Sequence, residues 1–137
     1  MSIVLVLTLT GSLYPAVAAL GEFRQANDRS VKQVARWLQQ DSGSDKRPII
    51  LGYGAAVPFH AGGILSFFPY ADESRALRYI HGVKPDYIVV RSAEMHQAPY
   101  VEPWLRRGIG DECAQLVHEV NSPDGQVARV WRWRCGD

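Results

Sequence analysis

Apolar and polar positions follow different rhythms in successive parts of the chain. From Ile3 to Leu20 nothing is charged, and Ile3-Val4-Leu5-Val6-Leu7 with Leu9, Leu13, Val17 and Leu20 would place apolar groups on every face of a helix. Polar residues return after Gly21. Val31, Val34, Ala35 and Leu38 then recur at the i, i+3, i+4, i+7 spacing of a one-sided helix, with N-cap candidates in Asn27-Asp28-Arg29-Ser30 and a loop signal in Asp41-Ser42-Gly43-Ser44. Pro48 to Tyr53 reads as a short buried strand. Gly54 to Gly63, rich in small residues and holding Pro58, is expected as a loop or broken helix before a short strand, Ile64 to Phe68.

Asp72 is placed to cap a helix with Ala76, Leu77 and Ile80 on one side, closing at Gly82. Asp86-Tyr87-Ile88-Val89-Val90 is the clearest strand of the chain and is expected to be central. Pro99 to Arg107 predicts a short helix that turns Trp104 and Leu105 inward. Ala114 to Val120 and Val127 to Arg134 flank Pro123-Asp124-Gly125, the chemistry of a hairpin turn. In the second of these strands Trp131 and Trp133 share one face. Val130, Arg132 and Arg134 share the other, which two arginines would make wet. The order predicts a three-layer α/β domain with a partly parallel sheet and a C-terminal antiparallel hairpin, preceded by one N-terminal apolar transmembrane helix. The division is residues 1–21 as the apolar segment and 22–137 as an extracytoplasmic α/β domain.

Eighteen residues at the helical rise make about 27 Å, close to the roughly 30 Å hydrocarbon core of a bilayer, so a retained membrane helix is the leading expectation. Ala16-Val17-Ala18 has the form of a signal-peptidase site, which is the alternative, although no Lys or Arg precedes Arg24. A buried helix is the third reading.

Charge and cysteine content narrow the partners. With 15 Lys and Arg against 14 Asp and Glu, mixed along the chain, there is no basic footprint for phosphates, and nucleic acid is not an expected partner. Two cysteines are too few for a disulfide framework and lack zinc-site spacing. The hairpin brings Cys113 opposite Arg134 or Cys135, making a cross-strand disulfide the candidate and two unrelated thiols the alternative. Such a bond would fit an oxidising compartment.

Catalytic signals are sparse. His60, His81, His96 and His118 are scattered, so neither a metal site nor a cofactor is expected. His118, two residues from Leu116 and Val120, reads as a packed sheet residue. Gly52-Tyr53-Gly54 lacks the third glycine of a dinucleotide loop, and no serine lies in a nucleophile elbow. Acids beside Cys113 would raise its pKa rather than activate it. What remains is a candidate ligand or interface loop carrying Tyr53, His60 and Tyr70, with His60 in a Gly-rich stretch after a strand. Its aromatics Phe59, Phe67, Phe68 and Tyr70 either pack in the core or face a membrane or neighbouring domain.

An apolar helix, a helix ending Val34-Ala35-Arg36-Trp37-Leu38, a strand Ile49 to Tyr53, a loop Pro58-Phe59-His60-Ala61-Gly62-Gly63, then Phe68-Pro69-Tyr70, a helix Ala76 to Ile80 and Pro85 to Val90 follow one another. This order, over nearly the whole chain, resembles the C-terminal end of GT-C class polytopic glycosyltransferases, the dolichyl-phosphate-mannose protein mannosyltransferases and lipid A aminoarabinose transferases. The resemblance implies an enzyme that moves a sugar from a polyprenyl-phosphate carrier to an extracytoplasmic acceptor, with its catalytic acid in a loop between early membrane helices. This chain has no position to match that acid. It is therefore expected to be non-catalytic alone, a tail, fragment or split subunit whose partners are the membrane, the remaining helices and a lipid-linked sugar. The alternatives are a secreted small-ligand-binding module released after Ala18 and a small free-standing enzyme using His60.

Overall fold

A computed structural model of the chain describes residues 29–135. The apolar segment Ile3 to Leu20 lies outside the described residues, and among those described no helix is long and apolar enough to cross a membrane. The fold is mixed α/β. Helix α1 (29–42) leads into strand β1 (Ile49–Gly52), helix α2 (Ala56–Ala61), edge strand β2 (Ile64–Phe67), helix α3 (Glu73–Val83) and strand β3 (Tyr87–Arg91). A 3-10 turn (Ser92–Glu94) and helix α4 (Val101–Arg107) precede the hairpin of β4 (Ala114–Asn121) and β5 (Val127–Trp133). The five strands lie in the order β2-β1-β3-β5-β4, so β3 is central. β1 pairs in parallel with β2 and β3, and β5 runs antiparallel to both β3 and β4.

Strand alternation divides the core between two faces. Ile50, Tyr87, Val89, Ala128 and Val130 point to one side, where the α1 stripe Val31, Val34, Ala35 and Leu38 covers them with Val57 and Ala61 of α2. Leu51, Ile88, Val90, Trp131 and Trp133 point to the other, under Ala76 and Ile80 of α3 and Val101 and Trp104 of α4. The face expected to be wet is therefore partly covered. Val130 is fully buried on it. Arg132 lies over the Tyr87 ring and hydrogen-bonds Asp41 at the end of α1.

Local differences from the sequence reading have identifiable causes. The stretch expected to be a loop or broken helix forms α2, because Pro58 falls in its first turn, where the missing N–H has no intrahelical partner to lose. Left-handed Gly62 (φ 69°) ends α2. At Gly63 a Cβ would lie 2.6 Å from Ile50 Cδ1 and 2.8 Å from the Pro48 carbonyl oxygen. That oxygen is held by the Ile64 N–H, so only glycine fits where β2 joins β1. Helix α3 starts at its Asp72 cap but runs through Gly82; the left-handed residue that ends it is Lys84 (φ 50°), immediately before Pro85. In β4 an irregularity at Val117 shifts the register between Leu116 and His118. Leu116 consequently pairs with Trp131 and His118 with Val130, on opposite faces.

Candidate functional site

The C-terminal ends of adjacent parallel strands β1 and β3 diverge. The chain leaves β1 toward α2 on one face and β3 toward α4 on the other, which makes this the switch point where open α/β sheets receive ligands. Gly52, Tyr53, Gly54, Arg91 and Glu94 line it. Arg91 Nη2 and Nε donate to Glu94 Oε1 at 2.5 and 3.1 Å, and both side chains are almost buried. This pair fills the crevice, leaving about 10 Å³ of free volume. That is about the lower limit for one water molecule.

Tyr53 belongs to the rim of the core. Its ring lies 4.9 Å from Phe68, and its hydroxyl is 3.4 Å from that of Tyr100, which donates to the Pro69 carbonyl at 2.6 Å. Burial pushes the Tyr53 hydroxyl pKa up, and that of Tyr100 further. His60 is exposed on α2. Its carbonyl accepts from Gln39 Nε2 of α1 at 2.8 Å, while its ring meets Phe59 edge-on at 5.4 Å. Tyr70 is 85 % exposed. Among the described residues no hydrogen bond or ring contact joins Tyr53, His60 and Tyr70, so they do not form one catalytic constellation.

The aromatic stretch divides between core and surface. Phe68 is buried against Tyr53, Tyr100 and Trp104. Phe59 (80 %), Phe67 (60 %) and Tyr70 stand in solvent, with Ile64 and Tyr79 about half exposed. All five lie on α2, β2, α3 or the segment joining β2 to α3, around the edge of the sheet. Leu65 and Phe67 share the α2 face with Ile50, by parallel register, and Ser66 on the α3 face has its hydroxyl 3.4 Å from that of Tyr79. Among the described residues β2 is thus an edge strand that carries an apolar rim, an arrangement suited to further contacts.

Sequence reasoning missed a second constellation, at the opposite end of the sheet. A cavity of about 280 Å³ is lined by Asp41, Lys46, Asp86, Tyr87, Arg132 and Arg134. Asp41 Oδ2 accepts from both Tyr87 Oη, at 2.5 Å, and Arg132 Nη2. Asp86 accepts from Lys46 Nζ at 3.0 Å and from the Ile49 N–H at 2.7 Å. Both carboxylates are already engaged, so the cavity offers charge and shape but no unpaired base. In the sequence, Asp41 had read only as part of a loop signal.

These contacts give the fold a pH dependence. Burial raises the Asp41 pKa, but hydrogen bonds from Arg132 and Tyr87 outweigh it and hold the carboxyl below its ordinary value. Its stabilisation is therefore present above about pH 4 and is lost as pH falls through the lower folded value. Tyr87 behaves oppositely: burial and then the bond to Asp41 push its hydroxyl up to about 12. Its contribution is complete below about pH 10 and disappears as pH rises through the folded value. Urea unfolding between pH 9 and 12 is expected to show a decline, of which Tyr87→Phe removes a share on the order of 1–2 kcal/mol. Identical slopes in the two proteins would refute the Tyr87–Asp41 hydrogen bond as a source of the decline. On the same face His118 stacks on Trp37 at 4.7 Å, and burial lowers its pKa.

Cys113 and Cys135 form a disulfide with Cα atoms 4.9 Å apart. The hairpin register supports it, since Ala114 pairs with Trp133 and the Arg134 N–H donates to the Cys113 carbonyl. Against known families, curated proteins and solved structures, the chain has no match.

Proposed function

We propose that this chain is the non-catalytic, extracytoplasmic C-terminal domain of a GT-C class membrane glycosyltransferase that takes its sugar from a polyprenyl-phosphate carrier. Ile3 to Leu20 serves as the retained membrane helix, and the Gly54 to Tyr70 segment faces the membrane portion. The observation that carries this reading is the rim of Phe59, Ile64, Phe67 and Tyr70 around the open sheet edge. Large apolar side chains gathered at one edge favour a covering surface. The disulfide fits an oxidising compartment, and the engaged carboxylates of the polar cavity fit a domain that supports chemistry carried out elsewhere.

The double variant Phe67→Asp, Tyr70→Asp in the intact membrane enzyme is expected to lower sugar transfer by roughly tenfold or more, as loss of a few central apolar anchors does at interfaces. Both side chains are exposed, so the melting temperature should hold. Undiminished transfer at normal expression would overturn the reading.

The 280 Å³ cavity favours a second reading, a secreted module that binds a small charged ligand, because it approaches the volume of ligand clefts. Sequencing the mature N-terminus separates the two: a chain beginning at Ala19 supports the released module, and an intact segment supports the membrane domain. The His60 enzyme lacks support, since its ring has no acid partner among the described residues.

A further inference from the structure

We propose that, when its disulfide is reduced, the chain binds one Zn²⁺ between Cys113, Cys135, His81 and Asp111, so that a covalent bond and a metal ion are alternative staples for the same end of the hairpin. The fold assembles this group from three places. Cys113 directly precedes β4 and Cys135 follows β5, while His81 comes from the last turn of α3 and Asp111 from the connection after α4. Each offers one ligand atom, and the four atoms lie within 4.8 Å of one another. Four donors around a tetrahedral zinc, at bond lengths of about 2.0–2.3 Å, stand roughly 3.3–3.8 Å apart. Small side-chain movements close that difference, and the two sulfurs separate once their bond is broken.

The surroundings orient the donors. Asp111 Oδ1 accepts from the Cys113 N–H at 2.9 Å, directing Oδ2 to His81 Nε2, also at 2.9 Å. The His81 ring rests edge-on against Trp133 with centroids 5.0 Å apart. Cys113 is buried and His81 half exposed, so the group has a closed inner wall and an open side through which an ion enters. An exposed His–Asp pair would by itself be an ordinary surface contact. The two sulfurs beside it distinguish this one, because thiolate with imidazole selects zinc over the hard cations magnesium and calcium.

The chemistry balances with a dithiol as reductant. Two electrons and two protons convert the Cys113–Cys135 bond into two thiols, and the dithiol becomes a disulfide. Zinc then displaces both thiol protons, and the His81–Asp111 hydrogen bond gives way to two metal bonds. The site is independent of the membrane reading, since it requires only a reduced chain.

The test uses the full chain in detergent, reduced with a dithiol that is then removed by anaerobic gel filtration, and titrated with Co²⁺, then Zn²⁺. One equivalent of Co²⁺ is expected, with an intense thiolate charge-transfer band that Zn²⁺ bleaches, while the oxidised chain shows no band. Cys135→Ser should weaken the band. His81→Ala and Asp111→Asn should each raise the dissociation constant by about tenfold or more. Because His81 is half exposed, its variant keeps the measurement interpretable if a cysteine variant fails to fold. A reduced chain with no charge-transfer band would overturn the proposal, as would affinity unchanged in both His81→Ala and Asp111→Asn.

Discussion

Trp104→Ala is expected to remove about 3–5 kcal/mol of folding stability, the range for deleting a fully buried large aromatic side chain. Trp104 has no exposed surface and packs against Tyr100 and Phe68, with ring centroids at 4.5 and 5.9 Å. It is also one of two polar links between α4 and α3, because its Nε1 donates to Glu73 Oε1 at 2.8 Å, beside the Arg107–Glu73 pair. Truncation leaves a cavity under α4 and takes a donor from Glu73, which keeps only its 2.5 Å contact with Arg107. Domains of this size have total stabilities of about 5–15 kcal/mol, so the variant should be marginal at 37 °C. Trp104→Phe retains a ring and loses the hydrogen bond, and should fall between the two. Urea midpoints for the three proteins provide the measurement. A loss below about 1 kcal/mol for the alanine variant would mean that α4 does not pack on the sheet as described.

The paired replacement Cys113→Ala, Cys135→Ala should be the next most damaging change, at about 3 kcal/mol. The bond joins residues 22 apart in sequence, and in the chain-entropy account its removal frees that loop in the unfolded ensemble. Alanine is the appropriate replacement because Cys113 is buried and a serine hydroxyl there would need a partner. Wild-type protein reduced in the presence of a chelator should unfold at nearly the same urea concentration as the double variant, both well below the oxidised form. Oxidised and reduced proteins with equal midpoints would contradict a stabilising crosslink. Zinc added to the reduced wild type should recover part of the loss and should leave the double variant unchanged, which separates the crosslink from the metal site.

Particular elements show how much was legible in the sequence. The stripe of α1 and the C-terminal hairpin are periodic, the strand Tyr87 to Val90 is an unbroken run of β-branched and aromatic residues, and each appears where its pattern places it. α2 was obscured because a proline in a six-residue helix resembles a breaker unless its position within the first turn is known. Lys84 rather than Gly82 ends α3, since the following proline and strand β3 decide where the chain must turn. The faces of Leu116 and His118 depend on one extra residue in β4, and no local signal marks such a bulge. Tyr53, His60 and Tyr70 were grouped by nearness in sequence. The fold instead sets Tyr53 in the core rim, His60 on α2 and Tyr70 in solvent.

By itself, the sequence determined the stripe of α1, the capped start of α3, the C-terminal hairpin and a strand at Tyr87 to Val90 apolar enough to be central, because periodicity, capping and turn chemistry are carried by each segment alone. Which aromatics are covered and which form the rim at the edge, how Asp41 reaches Tyr87 and Arg132, and why His81 and Asp111 stand beside the Cys113–Cys135 bond were decided only by the tertiary structure. Asp41, Tyr87 and Arg132, like His81 and the Cys113–Cys135 bond, come from segments far apart in the chain. Packing helices on both faces of one twisted sheet brings their side chains to the same place, and no repeat in the chain records that juxtaposition.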